Sequence, residues 1–179
     1  MHDALALAAT AIQMCIGFIF AAAGIGKVFR WHEFKGMLDA YRLLPSALVP
    51  VAACLIVPAE LAVAGALIAG WCVFETSVLA AAMLIAFAGA MAINLARGRR
   101  SIDCGCFQSM RQQLEWRLVV RNIACAAAVL AASNFSMPFL DSERWLHGLP
   151  AGATLFAIYS ALNAVWALDA SRELAFRRS

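Results

Sequence analysis

Charged residues are scarce along this chain, and their positions divide it into long apolar stretches. The first runs from Ala4 to Gly26, with no charge between Asp3 and Lys27. A second runs from about Pro50 to Phe74, interrupted by Pro58 and Glu60, and a third from Thr76 to Ala96. Two more follow, about Leu118 to Phe135 and about Gly148 to Leu168. About twenty apolar residues suffice to cross a bilayer core as a helix. Each stretch should be helical, because lipid offers no partner to an unpaired backbone group. The boundary between the second and third rests on Glu75 alone, which implies a very tight turn there.

The stretch "WHEFKGMLDAYRLLP" has a different rhythm. Trp31, Phe34, Leu38, Tyr41 and Leu44 recur at three- and four-residue spacing, with Glu33, Lys35, Asp39 and Arg42 between them. This is the pattern of an amphipathic helix lying at the membrane interface over about 31–44 and ending before Pro45; the alternative is a plain polar connector. The fold class expected is therefore all-α integral membrane protein, with about five transmembrane helices plus one interfacial helix. No linker, usable repeat or low-complexity segment divides it, so residues 1–179 read as a single membrane domain.

Composition agrees with the pattern. Hydrophobic residues are 64% and charged residues 14% of the 179, against roughly 45–50% and 25% in soluble domains. The N-terminus lacks the positive region of a signal peptide, and its apolar run is long for one, so it reads as a retained helix. Nucleic-acid binding is excluded, because the arginines sit at the ends of apolar spans instead of on one soluble face.

The net charge of +3 gains meaning once assigned to sides. If all five stretches cross, thirteen of the fourteen basic residues share one side: Lys27, Arg30, Lys35 and Arg42, then Arg97, Arg99, Arg100, Arg111, Arg117 and Arg121, then Arg172, Arg177 and Arg178. The other side holds Arg144 alone. The positive-inside rule puts the N-terminus in the periplasm and the C-terminus in the cytoplasm of a bacterial inner membrane.

Against that background the loop "RGRRSIDCGCFQSM", from Arg97 to Met110, is unexpected. Cys104 and Cys106 stand one glycine apart in the most basic polar segment. A disulfide between such close positions closes a small ring with poor geometry, and strained bonds exchange readily. Gly105 permits the tight backbone such a closure needs. Arg99, Arg100 and Arg111 favour the thiolate, the reactive form, while Asp103 opposes them or serves as a proton acceptor. Redox chemistry is the preferred reading. Soft-metal binding and an inert structural pair stay open, although zinc wants four ligands, and His32 and His147 lie in other loops. No metal site is therefore assigned. Cys15, Cys54, Cys72 and Cys125 lie in or beside apolar stretches, where small apolar packing is the plain reading. Cys125 and Cys54 are also relay candidates near the loop's face, and Cys72 is the natural thiol of the far side.

Glu60 is the one acid well inside a span, and such a residue is a functional candidate by default. Lys27 and Arg121 are its candidate partners; both could instead reach outward to the interface. A structural ion pair competes with proton handling or ligand binding. Pro58 should loosen the helix beside Glu60. The five tryptophans fall mostly near span ends, as an aromatic belt does.

Four motifs together carry a resemblance over nearly the whole chain: "AAAGIGKVF" ending the first stretch, "YRLLP", "PAELAVAGALIAG" around Glu60, and "DCGCF" after the third. With them the chain resembles the MauE family of methylamine utilisation proteins, within the wider DoxX-like membrane group. "DCGCF" is the specific part. Gln108 departs from the glycine frequent in the broader group. The resemblance implies help in maturing methylamine dehydrogenase, a periplasmic enzyme whose small subunit carries many disulfides and a tryptophan-derived quinone. It also implies action with a periplasmic thioredoxin-like partner, MauD. Cys104 and Cys106 match the family pair, and Lys27, Tyr41 and Glu60 its other recurrent positions. The implied activity is thiol–disulfide oxidoreduction. Electrons would pass outward from a cytoplasmic dithiol, or from the partner to a quinone, the only cofactor this reading would call for. A membrane anchor or assembly platform with no redox turnover is the alternative from another class.

Overall fold

The computed structural model of the chain describes residues 2–99, 114–135 and 144–176, with side chains over 3–99, 114–135 and 145–166. Among the described residues everything regular is helical. Six α-helices follow in order: α1 His2–Phe29, α2 Trp31–Ala40, α3 Val49–Ala69, α4 Val73–Ala96, α5 Trp116–Ala132 and α6 Leu149–Phe176. A 3-10 turn, Ser46–Leu48, leads into α3, and a π-helical turn, Arg144–Gly148, leads into α6.

Among the described residues, four helical segments are long and apolar enough to cross a membrane: Asp3–Phe29, Ser46–Ala69, Val73–Ala96 and Trp145–Trp166. The chain is therefore a multi-pass membrane protein of the all-α class. The fifth expected span, α5, has 17 residues, or about 26 Å of helix at 1.5 Å per residue. That is slightly short of a hydrocarbon core of about 30 Å. Its first half also carries Arg117, Arg121 and Asn122. It nevertheless belongs to the bundle, packed along α4 and α1.

Contacts set the helix directions. Position 17 of α1 lies against Ala64 and Ile68 of α3, and position 24 against Glu60 and Leu61, so α1 and α3 run antiparallel. Gly148 meets Thr10 and Met14, and Gly152 meets Met14, Ala11 and Cys15. The Phe18 and Phe156 rings meet at 5.9 Å one turn further on, so α1 and α6 run parallel. The glycines matter here: a Cβ at Gly152 would sit 2.5 Å from the Met14 Cβ. Ile16, Phe20, Val63, Leu67, Leu84 and Val129 fill the centre of the bundle. Leu55, Leu79, Ile85, Val120 and Ile158 face outward, as lipid-facing positions of a membrane bundle do.

The turn between α3 and α4 comes earlier than expected. Gly70 (φ 78°) and Cys72 (φ 45°) both take left-handed backbone, and the Gly70 amide donates to the Ala66 carbonyl at 2.8 Å. Glu75 lies in the first turn of α4. The chain reverses where glycine permits it, not where the charge stands. The helix α3 continues through Pro58, which lacks the N–H that the Cys54 carbonyl would otherwise receive.

The amphipathic helix α2 spends its apolar stripe on the protein. Phe34 is buried against Ala53 and Val57 of α3, with Trp31, Met37 and Leu38 beside it. Tyr41 packs with Leu95, Leu114 and Leu118 where α4 ends and α5 begins. The Arg99 guanidinium donates to the Ala40 carbonyl at 3.2 Å, tying the chain after α4 to the end of α2. Asp103, Cys104 and Cys106 lie outside the described residues.

Candidate functional site

The two intramembrane charges singled out from sequence meet. Lys27 forms an ion pair with Glu60, and both side chains are buried. Gly24, almost one turn before Lys27, makes the approach possible: a Cβ there would lie 2.8 Å from Leu61 Cδ2 and 3.6 Å from the Glu60 Cβ. Glu60 is eleven residues beyond Val49, about 17 Å along α3, near the middle of the helix. The Lys27 ammonium also lies 5.4 Å from the centre of the Phe34 ring and 5.3 Å from that of Phe87. Ring faces attract a cation, and more strongly when water is excluded. Helices α1, α2, α3 and α4 thus converge on one ammonium group.

Arg121, the other candidate partner, takes a different one. Its Nη1 donates to Asn163 Oδ1 at 2.8 Å, joining α5 to α6, and its guanidinium carbon sits 5.8 Å from the Tyr159 ring centre. The Asn163 amide in turn donates to the Tyr159 carbonyl at 2.8 Å. Lys27, Glu60, Arg121, Asn122, Phe87 and Tyr159 line one cavity between the helices. The space open to the centre of a water molecule there is about 30 Å³, enough for one or two waters. Two cations, one carboxylate, the Asn122 amide and Tyr159 thus share a chamber whose other walls are apolar. Such an arrangement can hold an anion or an oxygen acceptor, or pass a proton between the carboxylate and a guest.

The expected relay cysteines are dispersed. Cys54 is exposed on α3, and Cys72 is exposed in the turn before α4. Cys125 packs beside the central core on α5. It lies near Cys15 of α1, across the contact between α1 and α5. Sequence spacing gives Cys15 no such role. Among the described residues, no group of three or more His, Cys, Asp or Glu side chains could hold a metal ion.

Phe87, Asn122 and Tyr159 are site residues that sequence reasoning does not single out, and it marks Phe34 only as part of the apolar stripe of α2. A usable signal exists for Asn122 and Tyr159. Asn122 sits beside Arg121 at the start of an apolar stretch, and Tyr159 is one of only two tyrosines in the chain.

Comparison with known proteins places this architecture. The family model described as methylamine utilisation protein MauE matches residues 5–134, from the first turn of α1 to just beyond the end of α5. The methylamine utilization protein MauE of Paracoccus denitrificans is 36% identical over 166 residues, covering 90% of this chain and 89% of the relative. The MauE protein of Paracoccus versutus is 34% identical, covering 89% of this chain and 88% of the relative. That of Methylorubrum extorquens is 33% identical, covering 85% and 84%. No solved structure matches the chain. With a family model over most of its length and full-length relatives above 30% identity, this chain belongs to the MauE family of methylamine utilisation proteins.

Proposed function

We propose that this chain serves methylamine utilisation as a thiol–disulfide exchange protein of the bacterial inner membrane. Its task is to support disulfide formation and isomerisation as periplasmic methylamine dehydrogenase matures, together with a thioredoxin-like partner of the MauD kind. One observation carries the reading: Cys104 and Cys106 stand a glycine apart in the arginine-rich segment that joins α4 to α5. Arg99, anchored on the Ala40 carbonyl, begins that segment, and buried Leu114 closes it.

The chemistry is ordinary exchange. A thiolate of the pair attacks one sulfur of the partner's disulfide, and a mixed disulfide forms as the partner's other sulfur leaves as a thiolate. The second cysteine then attacks the mixed disulfide. The pair ends oxidised and the partner reduced by two electrons, with two protons taken up on the released sulfurs. The neighbouring arginines favour the attacking thiolate, and the strain of so small a ring makes the oxidised pair quick to reopen. The same steps run backwards when the partner is the reductant.

With the N-terminus in the periplasm, as the distribution of basic residues favours, the pair starts on the cytoplasmic side. Electrons then flow outward: a cytoplasmic dithiol reduces the pair, and the pair must then reach the periplasmic face to attack the partner's disulfide there. A supply of electrons has a use there, because an enzyme with many disulfides needs wrong pairings reopened.

A strain lacking this gene and complemented with the Cys104→Ser/Cys106→Ser variant tests the proposal. The expected result is normal membrane levels of the variant and no mature dehydrogenase. Full maturation at normal levels would end the exchange reading and favour a non-catalytic assembly platform. Stoichiometric bound copper or zinc in the purified wild-type protein would favour metal binding instead.

A further inference from the structure

The cavity beside the ion pair has more hydrogen-bond donors than acceptors, and more positive charge than negative. Lys27 and Arg121 bring two cations to it and Glu60 one carboxylate. Two buried donors aim at nothing: Arg121 Nε and the Asn122 side-chain nitrogen have no hydrogen-bond partner among the described residues. Asn122 is only 5% exposed, so water outside the bundle does not satisfy it. An unmet buried donor costs about 1–3 kcal/mol, and an uncompensated cation in an apolar interior costs more. The cavity has room for one or two waters, and these, or a guest that displaces them, can meet the unpaired donors. The remaining walls, Ile19, Phe20, Ala23, Leu84 and Phe87, are apolar, apart from Tyr159, whose ring lies against the Arg121 guanidinium.

We infer that this cavity is a binding site for the oxygen-acceptor headgroup of a lipid-soluble molecule. A carboxylate or a quinone-type carbonyl accepts from Asn122 Nδ2 and Arg121 Nε, and its apolar body lies toward the lipid. The limited space admits the acceptor end of such a molecule and not a bulky polar one. The excess positive charge favours a carboxylate, while the apolar and aromatic walls also suit a quinone carbonyl. Binding calls on no cysteine, so this site stands or falls apart from the thiol chemistry proposed above.

The test uses the full chain in lipid nanodiscs, with decanoate and a short-chain benzoquinone as probes and decane as the apolar control. At least one oxygen-bearing probe is expected to bind saturably, to raise the melting temperature, and to be unaffected by decane. Asn122→Leu removes the donor at nearly constant volume. It is expected to weaken that probe by about tenfold or more without lowering the melting temperature of the probe-free protein. Arg121→Lys, which keeps the charge but loses Nε, is the second variant and is expected to weaken the same probe. Decanoate binding alone identifies a carboxylate ligand, benzoquinone binding alone identifies a quinone, and mutual competition identifies the shared acceptor site. The inference is overturned if neither probe binds saturably, if decane competes equally, or if both variants bind as tightly as the wild type.

Discussion

Replacing Lys27 with methionine removes the ammonium group and leaves the side-chain volume nearly unchanged. Glu60 then keeps its buried place without the cation that pairs with it. Removing one partner of a buried pair costs about 3–5 kcal/mol, and a lone charge at the centre of a membrane helix about 2.5–3.5 kcal/mol on insertion scales. The site itself softens the loss. In Glu60→Met, the ammonium keeps the Phe34 and Phe87 rings at 5.4 and 5.3 Å, each worth about 0.5–2 kcal/mol. In Lys27→Met, Arg121 still shares the cavity with Glu60. Each single variant should therefore lose about 2–4 kcal/mol. The double variant Lys27→Met/Glu60→Met leaves neither member of the pair without its partner and should be more stable than either single. Detergent-driven unfolding in mixed micelles, followed by the five tryptophans, measures all four proteins in one cycle. A coupling of at least about 2 kcal/mol is expected. Singles within about 1 kcal/mol of the wild type, or a double equal to the sum of the singles, would refute the pair as a cohesive element.

Other consequences follow from packing and topology. Gly152→Ala should destabilise the bundle by about 1–3 kcal/mol, because its new Cβ would sit 2.5 Å from the Met14 Cβ and 3.2 Å from the Ala11 carbonyl oxygen. Gly65→Ala, where a Cβ meets nothing within 4 Å, should be neutral or stabilising by up to about 1 kcal/mol, and thermal melts of the two variants separate the cases. Cys72, exposed in the turn between α3 and α4, should react with a membrane-impermeant maleimide added to intact spheroplasts. Labelling only after the membrane is opened would reverse the proposed orientation. Cys15 and Cys125, neighbours across α1 and α5, should be linked by a short membrane-permeant bifunctional maleimide in a variant with the other four cysteines replaced by serine. Failure to link while each alkylates singly would contradict the packing of α5 on α1.

Much of this site is legible in the sequence because charge is so rare in the spans. Glu60 stands alone inside an apolar run and Lys27 ends another, so the possible pairings are few. The choice between Lys27 and Arg121 is not legible. It depends on the rotation of α1 and α5 about their axes; that of α1 follows from tertiary packing, with Gly17 and Gly24 against α3 and Gly152 of α6 against α1. The nearness of Cys15 to Cys125 is hidden for the same reason. The charge of Glu75 misplaces the α3–α4 turn, since the reversal is made by left-handed backbone at Gly70 and Cys72. The amphipathic stripe of α2 is plain in sequence, but periodicity cannot tell whether such a stripe meets lipid or protein. Here Phe34 packs on α3.

The most direct measurement of the proposed chemistry is to trap its covalent intermediate. Cells growing on methylamine and carrying Cys106→Ser, with a parallel strain carrying Cys104→Ser, are quenched with acid and their membranes resolved without reductant. One of the two variants should accumulate a reductant-sensitive adduct between this chain and the periplasmic thioredoxin-like protein, because the cysteine that would resolve it is gone. If neither variant forms an adduct while the wild-type pair stays in a single redox state throughout growth, the sulfurs of Cys104 and Cys106 do not exchange, and the proposed function is wrong.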